Sequence, residues 1–441
     1  MKWAVAIALV SVSAFAQDTD AGASSTADGG VTPLPVFDHP PPDGGGEPLA
    51  ADIFGLKVRA SGYAQVDAVL YDQASLDEIN PATGAPLNTE AFSVRHAHLK
   101  VELERWIFSG LAEVDGNTVG GVNVRLYAAS LAARWPGGEQ APLVEARAGL
   151  IRIPFGHDVR EEPLHRRFLE PSTMVQALFP GYFDLGGELS GSWRALHYEL
   201  AVMNGEPVGE RAFPAADPNA SKDLVGRLGV NGRLFDRLAV ELGASGLWGS
   251  GFHRGSPATK DVLVWHDANE DGQVQTSELQ VLGGLPATPS VNFGRFALGA
   301  DLRAALAVPV LGELELVGEL IWGKNLDRAL YVSDPVALGH DQRELGWSLA
   351  LVQQLPLGFL AGVRYDTYNP DADAADQQGA YRVPVDISVS TVSVMAAWRW
   401  RTTARLIAEY DHQRNAFGRS PNGTPMTLGA DRFTLRGEVA F

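Results

Sequence analysis

The sequence predicts an all-β protein: a closed antiparallel transmembrane β-barrel of about sixteen strands, with short periplasmic turns and long outer loops. Three observations predict it. The last segment, Asp431 to Phe441, alternates without a break, with Phe433, Leu435, Gly437, Val439 and Phe441 on one face and Arg432, Thr434, Arg436 and Glu438 on the other. A period of two is a β-strand, and charge on one face alone suits a strand between lipid and water. The same pattern recurs along the chain. Finally, the chain opens on a secretory signal yet holds no cysteine, so closure of a sheet, and not a disulfide framework, must hold the exported fold.

In the signal, Lys2 gives the positive start, Trp3 to Val12 the short apolar run and Ala14-Phe15-Ala16 the small-x-small pattern, so cleavage is expected after Ala16. That run is shorter than the ~20 residues a spanning helix needs, and no later segment approaches that length. Residues 17–52 carry Asp18, Asp20, Asp28, Asp38, Asp43, Glu47 and Asp52 without any Lys or Arg, among abundant Gly, Pro, Ser and Thr. They offer too little apolar surface to fold and are expected to form a disordered acidic periplasmic leader, with the barrel at 53–441. The net charge of −18 disfavours nucleic acid as a partner.

Alternating segments fall at 55–72, 91–103, 106–115, 122–135, 143–152, 182–193, 195–204, 223–232, 236–249, 291–305, 311–324, 343–354, 357–369, 386–400, 402–413 and 430–441. Their number is even, as closed bacterial barrels require, and the connections alternate long and short. The long ones are 73–90, 153–181, 205–222, 250–290, 325–342, 370–385 and 414–429, and only 116–121 is short on that side. Both termini then fall in the periplasm. In the eleventh strand Leu314, Leu316, Leu320 and Trp322 oppose Glu313, Glu315 and Glu319; in the second, Ala97, Leu99, Val101 and Leu103 oppose His96, His98, Lys100 and Glu102. A charge at mid-bilayer on the lipid face costs ~2–4 kcal/mol for Arg or Lys, so the charged faces must line the lumen. Trp106, Trp135, Trp193, Trp398 and Trp400 sit at the short-turn ends, Trp248 and Trp322 near the long loops, as two interfacial girdles would place them. A soluble sandwich or propeller would also alternate, but has no need of girdles.

Between Ala91 and Asn204 the chain resembles the phosphate-selective porin O and P family. The likeness rests on Phe92-Ser93-Val94-Arg95-His96-Ala97-His98-Leu99, Gly149-Leu150-Ile151-Arg152-Ile153-Pro154-Phe155-Gly156, Phe168-Leu169-Glu170, Phe179-Pro180-Gly181, Asp184 to Gly191 and Tyr198 to Gly205. It implies a sixteen-stranded trimeric outer-membrane porin whose third outer loop folds into the channel. That loop, 153–181, holds Arg160, His165, Arg166 and Arg167 beside Asp158, Glu161, Glu162 and Glu170, and these are the expected constriction. Arg offers a permanent, planar charge suited to phosphate or carboxylate. The family places lysines at its narrowest point, and this loop has none. The expected lumen is mixed: Lys57, Arg59, Lys100, Arg147, Arg227, Arg295, Arg405 and Arg436 face Glu102, Glu145, Glu241, Glu313, Glu315, Glu319 and Glu409. A passive pore for small polar or anionic solutes is the expectation, with a plugged or adhesive barrel and an outer-membrane hydrolase as alternatives.

The longest connection contains Asp267-Ala268-Asn269-Glu270-Asp271-Gly272-Gln273-Val274-Gln275-Thr276-Ser277-Glu278, which satisfies the twelve-residue EF-hand loop pattern. Asp267, Asn269, Asp271, the Gln273 carbonyl and Glu278 stand at the ligating positions, with Gln275 placed to act through water, so calcium is the expected ligand. Bound outside the cell, it could order the loop or bridge to lipopolysaccharide. Neither G-x-S-x-G nor H-E-x-x-H occurs, and Ser190 lacks the first Gly of a nucleophile elbow. No enzyme is expected. His96 and His98, two apart on one face, are a further candidate transition-metal pair.

Overall fold

The computed structural model of the chain describes residues 48–71, 90–119, 121–136, 142–207, 217–235, 237–378, 380–401, 403–419, 425–427 and 429–441. The export signal at 1–16, the leader up to residue 47 and most of the connection at 73–90 lie outside these residues.

Sixteen strands form the barrel. In chain order they are β1 Leu56–Tyr71, β2 Ala91–Arg105, β3 Phe108–Asn117, β4 Asn123–Trp135, β5 Val144–Arg152, β6 Phe183–Trp193, β7 Leu196–Met203 and β8 Asp223–Leu234. The second half is β9 Leu238–His253, β10 Val291–Val308, β11 Gly312–Lys324, β12 Arg343–Gln354, β13 Phe359–Asn369, β14 Val389–Trp400, β15 Ala404–Arg414 and β16 Arg432–Ala440. Each pairs antiparallel with the next, and β16 returns to β1, with Tyr63 opposite Ala440 and Tyr71 opposite Arg432. Closure pairs the backbone groups that lipid cannot satisfy. The expected spans differ from these only at their ends. The largest difference is in β9, which keeps pairing with β10 as far as His253 opposite Val291, past the expected 249.

The N-terminal border needs a correction. The disordered leader is expected to run to residue 52, but Leu49–Ile53 is a strand antiparallel to the start of β1, with Leu49 opposite Ala60. Two local causes act together. Phe54 and Gly55 both take positive φ, 54° and 78°, as a tight hairpin turn demands, and Asp52 Oδ1 accepts the Gly55 N–H at 2.8 Å. In addition, Phe441 bonds to Gly62 through its N–H and C=O at 2.9 and 3.1 Å, so that residues 49–53 and the strand β16 take successive stretches of β1.

The side chains alternate as the sequence requires. Outward positions such as Leu200, Leu228, Leu298, Leu349 and Val394 are exposed, while Gln65, Asp67, Glu315, Glu319, Glu409 and Arg436 point inward and are buried. Trp106, Trp135, Trp193 and Trp400 stand exposed at the short-turn ends; at the other, Trp248 stacks on Phe296 with ring centroids 6.5 Å apart and Phe296 meets Trp322 edge-on at 5.1 Å. Two β-bulges break the alternation. The β1–β2 ladder steps from Gln65–His96 to Val66–Val94, so Arg95 is an extra residue; the β3–β4 ladder steps from Glu113–Ala128 to Val114–Leu126, so Tyr127 is another. Each bulge lets two neighbouring residues share the inner side.

Candidate functional site

Residues 153–182 connect β5 to β6 and lie inside the barrel. Their apolar side chains explain why. Phe155, Val159, Met174, Val175, Leu178 and Phe179 are fully or almost fully buried against inward residues of the wall, among them Met203, Val225, Leu247, Ala297, Ile321 and Tyr368. Phe168 and Leu169 sit in a second apolar patch made by Val352, Leu360, Met395, Ala397 and Ile407. These wall residues depart from the apolar-out, polar-in rule, and they do so where the loop lands. A short helix, α1 Thr173–Leu178, carries four of the buried side chains.

The rest of the loop is irregular, and charged or polar wall side chains satisfy its backbone. Gly156 N–H donates to Ser245 Oγ at 2.9 Å, Asp158 N–H to Glu319 at 3.0 Å, Leu169 N–H to Glu409 at 2.9 Å and Thr173 N–H to Asp366 at 3.0 Å. In the other direction Arg405 donates to the carbonyls of Leu164 and Arg166, Arg436 to Leu169, Arg364 to Glu170, and Arg152 to Val159 and Glu161. Gly156 takes φ +59°, and a Cβ there would run into the Glu319 carboxylate. Glu170 is the central anchor. Arg95, turned inward by its bulge, holds it with two hydrogen bonds of 2.7 and 2.9 Å, and Arg436 adds one of 3.0 Å while gripping Asp67 at 2.7 and 2.8 Å.

The loop divides the lumen. On the outer side a cavity of about 490 Å³ is bounded by Glu170, Thr173, Gln176, Arg364, Asp411, Gln413 and Arg432. Glu170 and Arg364 also line a smaller space of about 50 Å³, with His157, Asp158, Glu161, Arg166, Arg167, Glu315 and Glu319. His157 and Glu161 in turn also line an inner cavity of about 250 Å³ with Arg160, Glu199, Arg227 and Glu241 in its wall. A separate inner vestibule of about 350 Å³ lies against β1–β5, lined by Lys57, Arg59, Lys100, Glu102, Glu104, Arg134, Arg147 and Glu162.

The structure therefore distributes the expected constriction. Glu161, Arg166 and Arg167 border the narrow space; Arg160 reaches Glu199 at 2.6 Å in the inner cavity; Glu162 faces the vestibule, with His165 4.0 Å away. Arg166 is 3% exposed and lies over the Tyr182 ring, 4.8 Å from its centroid, and Arg167 is bonded to Glu315 at 3.0 Å. Of the expected lumen residues, Lys57, Arg59, Lys100 and Arg147 line the vestibule. Arg295 is tied to Asp223 and the Gly205 carbonyl, Arg227 to Asp301 and Glu241, and Arg405 to Glu438. Sequence reading missed Arg95, because a bulge cannot be seen in an alternating pattern. It also missed Arg364 and Asp366, although both follow the inward parity of Leu360 and Tyr368 in β13.

In the outer loop, Asp267 accepts the N–H groups of Asp271 and Gly272 at 3.2 and 2.8 Å, with Gly272 at φ +71°. Gln273 N–H donates to Asp271, whose other oxygen takes the side-chain amides of Asn269 and Gln275. Glu278 accepts from the Trp265 indole at 3.0 Å and the Ala268 N–H at 3.3 Å, and the indole holds its carboxyl below the usual range.

No protein-family model matches the chain, and no characterised protein matches it in sequence. Solved structures do match its shape. OmpT, an outer membrane protein of Vibrio cholerae, in its trimer form, superposes with a TM-score of 0.51 at 9% identity, over 88% of this chain and all (100%) of that one. The outer membrane channel DcaP of Acinetobacter baumannii gives 0.54 at 9% identity, over 88% and 98%. An anion-selective porin from Comamonas acidovorans gives 0.51 at 10% identity, over 88% and 100%. The fold is that of the outer-membrane porins. Closed strands, an apolar outer face and aromatic ends place the chain in the bacterial outer membrane.

The ion pairs that seat the loop make a first prediction. Arg436 and Asp67 are 3% and 4% exposed, so Arg436→Ala leaves Asp67 buried with its partner removed. Stability should fall by about 3–5 kcal/mol, read from denaturant unfolding of the barrel in detergent or liposomes.

Proposed function

We propose that this barrel is a passive channel for small polar solutes, narrowed by the loop at 153–182, and not an enzyme. The observation that carries the reading is the sequence of cavities through the lumen, in which each shares lining residues with the next and the smallest is bordered by the loop. A space of about 50 Å³ admits a few waters and excludes bulky solutes. The names of the similar structures, a channel and a porin, agree with this reading.

The charge at the narrowest point favours cations over phosphate. Asp158, Glu161, Glu170, Glu315 and Glu319 border it against Arg166, Arg167 and Arg364, with Glu170 and Glu315 also held by Arg95, Arg436 and Arg303 from outside it, so that the preference rests on Asp158, Glu161 and Glu319. Charges at such close quarters act on a passing ion with little screening. The anion selectivity implied by the resembled family would need the reverse balance. Assembly as a homotrimer in outer-membrane lipid is part of the proposal, supported by the resemblance and by the trimer form of the similar Vibrio cholerae protein.

The reversal potential of the reconstituted protein in a potassium chloride gradient tests this. The expected sign is that of cation preference, moving toward anions in Glu161→Lys. An anion-selective current blocked by added phosphate would overturn the selectivity, and absence of any current would overturn the channel.

We propose further that the loop 267–278 binds calcium, on the strength of its full twelve-position pattern and the Asp267–Gly272 bond across the turn. Affinity should be on the order of 10⁻⁴ to 10⁻³ M, as in extracellular modules. Bound there, the ion could bridge to lipopolysaccharide. Calorimetry should show a calcium heat in the native protein that Glu278→Gln abolishes; a native protein with no such heat would remove this site.

A further inference from the structure

Behind the loop, on the inner wall of β2 and β3, His96, His98 and Asp115 stand together. Among the described residues they are the one group of three His, Asp or Glu whose ligand atoms all lie within 4.8 Å of one another. Each is 5% exposed or less. Register explains the convergence: His98 lies directly opposite Asp115 on the neighbouring strand, and His96, two residues before His98 on an unbroken stretch of ladder, shares its face.

The hydrogen bonding around His98 decides what the cluster is for. His98 Nδ1 lies 2.6 Å from Glu113 Oε1, a contact that leaves Nε2 turned toward Asp115. That Nε2 lies 3.0 Å from Asp115 Oδ1 but is not aligned for a hydrogen bond with it. Nε2 and Oδ1 thus face each other in a buried site at about the separation of two ligands of one ion. His96 Nδ1 lies 3.2 Å from the same Oδ1. Zinc bonds of about 2.0–2.1 Å at the tetrahedral angle separate neighbouring ligand atoms by roughly 3.3 Å, close to both spacings. The supports of a metal centre are also present. Glu113 orients His98 as second carboxylates orient metal-binding imidazoles. Tyr63 stacks on the His98 ring at 4.5 Å and Tyr127 meets it edge-on at 4.4 Å, which fixes its rotation. Arg125 Nε lies 3.4 Å from Asp115 Oδ2, leaving Oδ1 for the ion, and the two carboxylates outweigh its charge.

We propose that His96, His98 and Asp115 bind a divalent transition-metal ion of the zinc class, with Glu113 as a positioning residue. Two imidazoles and one carboxylate favour such ions over calcium or magnesium. The site stands on the barrel wall and does not depend on the channel being open.

Untagged, folded protein is incubated with zinc in excess calcium, desalted, and assayed for metal. The native barrel should retain a single zinc, and the His96→Gln/His98→Gln double variant none, with folding of each checked by heat-modifiable gel migration. Glu113→Gln lies outside the ligand set and should weaken binding about 10–100-fold. Cobalt bound to the native protein should give the visible absorption of a four-coordinate nitrogen and oxygen site, a readout that needs no variant. Native protein that retains no more zinc than the folded double variant, or that gives only the spectrum of hydrated cobalt, would overturn the proposal.

Discussion

The interior of this barrel is organised by one constraint: the irregular backbone of residues 153–182 lies at membrane depth without a strand partner. Such backbone is tolerated there only where protein or water satisfies its polar groups. The wall supplies that satisfaction through side chains. Ser245, Glu319, Glu409 and Asp366 take N–H groups, and Arg152, Arg364, Arg405 and Arg436 cover carbonyls. Apolar patches under Phe155, Phe179, Phe168 and Leu169 add the burial that keeps the segment inside.

It follows that the charged inner face has two tasks, and most of its arginines serve the first. Arg436, Arg405, Arg295 and Arg227 are tied to carboxylates or carbonyls and are 3–6% exposed. Their number therefore says little about selectivity. The groups around the narrow space include such ties too, since Glu170 is held by Arg95 and Arg436 and Glu315 by Arg167 and Arg303. A loop without lysine, already visible in the sequence, is consistent with a preference that rests on Asp158, Glu161 and Glu319. The same economy of position explains the histidine cluster. It occupies a stretch of wall on β2 and β3, and its ligand atoms are held by their own neighbours, Glu113, Tyr63 and Tyr127.

Much of the fold was legible because a strand between lipid and water writes its two faces into alternate residues. β11 and β16 could be read face by face, and β12 from end to end. The hairpin at 49–60 was not legible, since the run before Asp52 is short and lacks clear alternation. Site residues were legible as a set of inward charges, but their partners were not. The pairing of Arg167 with Glu315, or of Arg95 with Glu170, spans many residues and depends on how the loop crosses the lumen. Arg95 and Tyr127 needed bulges that no periodicity reveals. One signal went unread: inward apolar residues in β13–β15, such as Leu360, Met395 and Ile407, mark where a loop must cover the wall.

The central claim is that the loop, and not the barrel's girth, sets the passage. Single-channel conductance of the native protein should be compared with that of a variant in which residues 157–170 are replaced by a short Gly-Ser link. The account predicts a conductance several-fold larger in the variant, with weaker discrimination between potassium and chloride. An unchanged conductance from a folded variant would contradict it.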